Sequence, residues 1–185
     1  MRKKITIIGE IHGVKQNISV YKDMLSRLFL IYDKQNIAFC LELEDSFNYE
    51  DGRFSIETQD FLKWLQEENI DFHKIGVLHK NLNTRENLIA QKISEISSKY
   101  EHVVCILGRV HANKEPIEIN GEKIDTAGFI LKKDSQVIFI DYKDGQTYNF
   151  GIKEIKNLNN LNNFSFDEII VVEKATPITP IHNIF

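Results

Sequence analysis

Along the front of the chain, apolar positions switch repeatedly between the two spacings that distinguish strands from helices. Residues 5–8, Ile-Thr-Ile-Ile, make a short continuous apolar run of the kind buried in a parallel sheet. Between residues 16 and 32, Val20, Met24, Leu25, Leu28 and Ile31 recur at helical spacing. Residues 37–43 predict a second strand. The polar stretch EDSFNYEDGRFS then leads to a helix capped by Ser55, with Phe61, Leu62 and Leu65 on one face. A weaker third strand is expected over residues 70–77. Thr84 is the expected cap of the next helix, whose apolar positions are Leu88, Ile89, Ile93 and Ile96, and residues 102–107 predict a fourth strand.

Beyond residue 111 the pattern changes. In IEINGEKI, Asn120-Gly121 separates two short alternating runs, the turn pair of a tight hairpin. Residues 126–131 predict one or two helical turns. QVIFIDY, a turn at Asp144-Gly145 and then QTYNFG predict a second hairpin. IIVV, within residues 166–173, predicts a buried strand, and TPITPIHNIF an extended tail. The asparagine-rich residues 157–163 predict a loop. No repeat or long linker interrupts the pattern, so residues 1–185 are expected to form a single domain. Its class is α/β: a mainly parallel central sheet flanked by helices, with C-terminal β-hairpins extending it.

With 185 residues, 42% hydrophobic and 27% charged, the chain can bury a core of its own. A net charge of −4 supplies no basic footprint, so nucleic acid is not an expected partner. No apolar run approaches the length of a membrane span, and the one after MRKK is too brief for an export core. The expectation is a cytoplasmic protein with no membrane association, acting on a small-molecule or peptide substrate. Cys40 and Cys105 each fall inside an expected strand and outside any CxxC, and are read as buried reduced thiols.

In parallel sheets, sites gather beyond the carboxyl ends of the strands. Three of the expected strands end in reactive residues. GEIHG at 9–13 places Glu10 and His12 after the first, LELE places Glu42 and Glu44 after the second, and GRVH places Gly108, Arg109 and His111 after the fourth. Arg85 and Asn87, in TRENL, open the helix that feeds that fourth strand. Each residue also has a plain structural reading: Glu10 near a helix N-terminus, Glu42 in a buried ion pair, Arg85 as an ordinary first-turn arginine. Their coincidence at one rim favours a site. His73, His79, His102 and His182 have no such setting.

GEIHG, LELE, TRENLIAQKI and GRVHANK, in this order, resemble the erythromycin esterase-like, ChaN-like and TraB/Tiki superfamily. The resemblance continues through TAGFILKKDSQVIFIDYKDGQTYNFG and FDEIIVVEKATPITP, covering residues 5–180. It implies a site built from Glu10, His12, Glu42 (with Glu44 the second choice), Arg85 and His111. The chain is much shorter than the erythromycin esterases, which implies a minimal lid between Glu44 and Arg85. ChaN-like members resemble it in size and are haem-binding lipoproteins; Tiki and TraB members look like metal-dependent peptidases.

Three chemistries suit these residues. The leading expectation is a hydrolase that needs no cofactor and acts on an ester, lactone or amide. His12 or His111 takes a proton from water, Glu10 or Glu42 fixes the imidazole, and Arg85 stabilises the oxyanion. No G-x-S-x-G elbow is present to supply a serine nucleophile. The second chemistry places a divalent metal among His12, His111, Glu10 and Glu42, with an open position for water. The third is binding of haem or another planar ligand, with a histidine or one of Tyr21, Tyr49 and Tyr142 as axial ligand.

Overall fold

The computed structural model describes residues 4–44, 51–157 and 161–181. Its first half alternates strand and helix as the periodicity predicts: β1 (Ile5–Glu10), α1 (Gln16–Leu28), β2 (Ile37–Leu41), α2 (Ile56–Glu67), β3 (Asp71–Lys74), α3 (Leu82–Ser97) and β4 (His102–Gly108). There follow a short helix α4 (Arg109–Ala112), the hairpin strands β5 (Ile117–Ile119) and β6 (Glu122–Ile124), and the short helix α5 (Ala127–Ile130). Three strands close the described chain: β7 (Ser135–Tyr148), β8 (Ile152–Glu154) and β9 (Glu168–Ala175).

Seven strands form one sheet in the order β3-β2-β4-β1-β7, with β8 and β9 both pairing with β7. Every pairing is parallel except that of β7 with β8. The expected mixed α/β class is therefore present. Of the two hairpins, only β7–β8 extends the sheet; β5–β6 stands as a separate two-stranded ribbon. Helices cover both faces, which is why β1, β2 and β4 read as continuous apolar runs. On one face Leu25 and Leu28 of α1 and Phe61 and Leu65 of α2 pack over Ile8, Phe39, Val104 and Ile140. On the other, Ile89 and Ile93 of α3 pack over Ile7, Cys40, Cys105 and Phe139. Cys40 and Cys105 lie directly opposite one another on adjacent strands, buried and free.

Local expectations and structure differ at four points. The first helix stops at Leu28, short of Tyr32. Asn81, not Thr84, caps α3: its side-chain oxygen accepts the Thr84 N–H at 2.8 Å, so Thr84 is the recipient of the cap. No turn forms at Asp144-Gly145. β7 runs straight through, because these residues pair with Lys174 and Ala175 of β9. Gly145 there has φ +110°, and a Cβ on it would lie 2.0 Å from the Ala175 carbonyl oxygen. The chain reverses later, where Phe150 and Gly151 take φ 51° and 112°. Finally, IIVV is not a fully buried strand. β9 is a sheet edge: Ile170 and Val172 pack on the core, while Ile169 and Val171 are 41% and 49% exposed.

The extended tail is tied back through bridges from Pro177 to Val14 and from Pro180 to Ser55. Thr179 adds hydrogen bonds to Glu57 at the start of α2, and Lys15 donates to Thr179. His73 meets Tyr100 and buried His102 meets Thr6, while His79, in the loop between β3 and α3, bonds Asn81 of the same loop and takes no part in the cluster described below. Tyr49, His182 and residues 158–160 of the asparagine-rich stretch lie outside the described residues. Among the described residues no helix is long and apolar enough to cross a membrane.

Two substitutions check these assignments by urea denaturation. Gly145→Ala is expected to cost about 3 kcal/mol, since it imposes both a strained φ and a backbone clash; an unchanged midpoint would mean the chain turns there after all. Asn81→Ala is expected to cost about 1 kcal/mol, the usual loss for an N-cap.

Candidate active site

Parallel register aligns the strand ends that carry the chemistry. Glu10, the last residue of β1, lies opposite Gly108, the last residue of β4. Leu41 at the end of β2 lies opposite Ile106 of β4, so Glu42 follows beside Gly108 on the other side. With β4 between β2 and β1, the two carboxylates flank Gly108. α4 then turns the chain at once and brings His111 back over the same rim.

Glu42 occupies the centre. It is 1% exposed, and burial of its charge is offset by donors from three parts of the chain. Gly108 N–H donates to Oε2 at 2.9 Å, and Arg85 Nη2 donates to Oε1 at 3.1 Å. Arg53 Nη1 lies 3.5 Å from Oε1 and also donates to the Glu42 carbonyl. The Nε2 atoms of His111 and His12 stand 3.4 Å and 4.0 Å from its two oxygens. Burial acts to raise the Glu42 pKa, but His111, His12, Arg53 and the Gly108 N–H outweigh it and hold the carboxyl below its ordinary value.

Each imidazole is held from behind by a second buried carboxylate. His12 Nδ1 is 2.6 Å from Glu10 Oε1, and His111 Nδ1 is 2.5 Å from Glu86 Oε1. A carboxylate only accepts, so both Nδ1 atoms carry the proton and both Nε2 atoms face the cleft. Glu10 is fixed in turn by Asn17 at 2.5 Å and by the Tyr21 hydroxyl, both donating to Oε2. Burial raises the Glu10 pKa despite His12 and Arg53. Glu86 Oε2 accepts the Ala127 N–H at 2.8 Å, anchoring it to α5. For His111, burial pushes the pKa down, yet the Glu42 and Glu86 carboxylates overcome it and raise the imidazole above its ordinary value.

A cleft of about 340 Å³ opens over these groups, lined by Glu10, Ile11, His12, Gly108, Arg109, Val110, His111, Thr147, Asn149, Lys153 and Phe164. The glycine leaves the space between the imidazoles open. A Cβ at residue 108 would sit 3.2 Å from His12 Nε2 and 3.6 Å from the His111 ring, in the space between the two imidazoles.

Of the residues expected from sequence, Glu10, His12, Glu42, Arg85 and His111 are brought together. Arg85 reaches the rim because α3 starts just after the carboxyl end of β3, on the same side of the sheet as the other strand ends. It lies 3.6 Å from Glu44 as well, so its guanidinium is directed at two carboxylates and not at the space between the imidazoles. Arg109 lines the cleft but donates to the Ile140 carbonyl and stacks over the Tyr142 ring at 5.4 Å. Asn87 faces solvent and donates to the Asn83 carbonyl, away from the cluster. Glu86 was not expected, although it falls in phase with the buried positions Ile89, Ala90 and Ile93 of its helix, a signal that could have found it. Asp51 and Arg53 were also not expected; they form a bidentate pair in an aperiodic loop, where only folding reveals their place.

Both oxygens of Glu42 already accept N–H groups and the Arg53 guanidinium lies against it, while the Nε2 atoms of His12 and His111 stay turned to the cleft. Among the described residues no group of three or more His, Cys, Asp or Glu side chains is disposed to hold a cation. Of the tyrosines named for haem, the Tyr21 hydroxyl is engaged by Glu10 and the buried Tyr142 hydroxyl by Asn17, and Tyr49 lies outside the described residues.

Glu86→Gln is expected to lower the His111 pKa, read by ring-nitrogen NMR, because it removes one of the two carboxylates that raise it. The same change tests stability. A histidine whose folded pKa is raised stabilises the fold fully below its unfolded pKa of about 6.5, and that contribution is lost as pH rises through the folded value. Urea midpoints measured over roughly pH 6 to 9 should therefore fall less steeply in Glu86→Gln than in the native chain.

No family model, curated protein or solved structure matches this chain. The functional reading therefore rests on the geometry of the rim.

Proposed function

We propose that the protein is a hydrolase that activates water with imidazole and needs no bound cofactor, of the kind its motif order resembles in the erythromycin esterase-like proteins. One observation carries the reading. Two histidines, each anchored at Nδ1 by a buried carboxylate, turn their Nε2 atoms into one cleft. A lone structural histidine needs neither the partner nor the convergence.

His12 serves as general base. Glu10 holds its proton on Nδ1, leaving the Nε2 lone pair to take a proton from water. Glu42 accepts a hydrogen bond from the same water and orients it. His111, kept charged by Glu42 and Glu86, donates to the carbonyl oxygen as negative charge develops there and then protonates the leaving group. The water oxygen bonds to the carbonyl carbon, the carbon–heteroatom bond breaks, and an acid and an alcohol or amine depart. Arg85 and Arg53 keep Glu42 ionised. Ile11, Val110 and Phe164 supply an apolar wall for the acyl or leaving portion, which favours esters and lactones with hydrocarbon character. A cytoplasmic setting belongs to this reading, and the free thiols of Cys40 and Cys105 suit it.

A panel of aryl esters, lactones and amides tests the proposal. His12→Ala and His111→Ala are each expected to lower kcat/KM by about 10²- to 10⁴-fold while the fold is kept. Gly108→Ala keeps an allowed backbone at φ −58° but places a methyl where the water must stand, and should reduce kcat to a similar degree. In the native chain, kcat/KM should decline as pH rises through the His111 pKa, above the ordinary histidine value. Full activity in His12→Ala would remove the base from the scheme.

A further inference from the structure

β9 is the outer neighbour of β7, and among the described residues no strand pairs with its other edge. It is eight residues long, EIIVVEKA, with neither proline nor glycine. Natural edge strands that stay unpaired are usually short, bulged, or guarded by charge along their length. This one carries its charges only at its ends. Between them, Ile169 and Val171 are exposed on one face while Ile170 and Val172 pack on the core of the other.

We propose that β9 pairs antiparallel with β9 of a second copy of this chain, about a two-fold axis through Val171, making the two sheets continuous. The residue pattern selects this register. With Val171 opposite its own counterpart, Ile170 lies opposite Val172, and Glu168 lies opposite Lys174 of the partner at both ends of the ladder. Directly opposed residues share a face, so the core faces of the two copies stay on the same side and Ile169 and Val171 of both form one apolar strip. Ile169 lies opposite Glu173, whose methylene stem can cover it. A slip by one residue turns one copy's core face outward, and in one direction it sets Glu168 against Glu173. A C2 contact needs one self-complementary patch, and this strand is self-complementary in charge and in shape.

Sedimentation velocity on the full chain over a wide concentration range tests the interface, independently of any catalytic activity. The native chain is expected to dimerise reversibly. Val171→Lys sets two ammonium groups face to face, and Lys174→Glu sets Glu168 against a new carboxylate. Each should weaken the dimer at least about tenfold, with circular dichroism unchanged and the thermal midpoint unchanged at concentrations where the native chain is monomeric. The double change Glu168→Lys with Lys174→Glu restores opposite charges and should restore the dimer. A native chain that stays monomeric at all concentrations overturns the proposal. So does a dimer indifferent to the Lys174→Glu change and its reversal, or a monomer whose β9 accepts only an unrelated strand-forming peptide.

Discussion

Glu42 is the charge around which the rim is organised. A carboxylate removed from water costs several kcal/mol unless donors replace the lost hydration. Here the replacement comes from a backbone N–H at the end of β4, a guanidinium at the start of α3, another in the loop before α2, and two imidazoles. Those groups would repel one another without the carboxylate, and the carboxylate would not stay ionised without them. The strand ends, the first turn of α3 and the loop carrying Arg53 are thereby held in one arrangement. Apolar packing alone would not specify it, because hydrophobic contact is not directional.

The same arrangement is what makes the rim chemically capable. Glu10–His12 and Glu86–His111 are two carboxylate–imidazole pairs facing each other across Glu42 and Gly108. Their surroundings differ. Glu10 is a buried group whose pKa is raised, bound by Asn17 and Tyr21, whereas His111 sits between two carboxylates that favour its charged form. The absence of a side chain at Gly108 preserves the space in which both could act on one molecule.

Much of this was legible beforehand because strands and the residues that end them are local features. Glu10, His12, Glu42 and His111 each follow an apolar run directly, and the strand-end rule selects them without knowledge of the fold. Glu86 escaped notice although its helical phase matched the buried stripe, since a glutamate among leucines and isoleucines reads as solvated. Arg53 carried no periodic signal at all. The turn expected at Asp144-Gly145 failed for a physical reason: a glycine suits a reversal, but it suits equally a bend where a neighbouring carbonyl leaves no room for a Cβ. IIVV failed similarly, for an apolar run states that a strand is favoured and not how many neighbours it will have.

Taken by itself, the sequence determined the alternation of strand and helix, the apolar faces, the Ser55 cap and the set of reactive residues at strand ends. Periodicity, capping and burial preference act over a few residues, so they are written in the local order of the chain. The tertiary structure alone decided that Glu86 and not Glu42 holds His111 at Nδ1, that Arg85 and Arg53 meet on Glu42, and that β9 ends the sheet. Hydrogen bonds and ion pairs require atoms to meet within about 3 Å, and the groups concerned are separated along the chain by as many as 43 positions. Only strand order and register bring them that close.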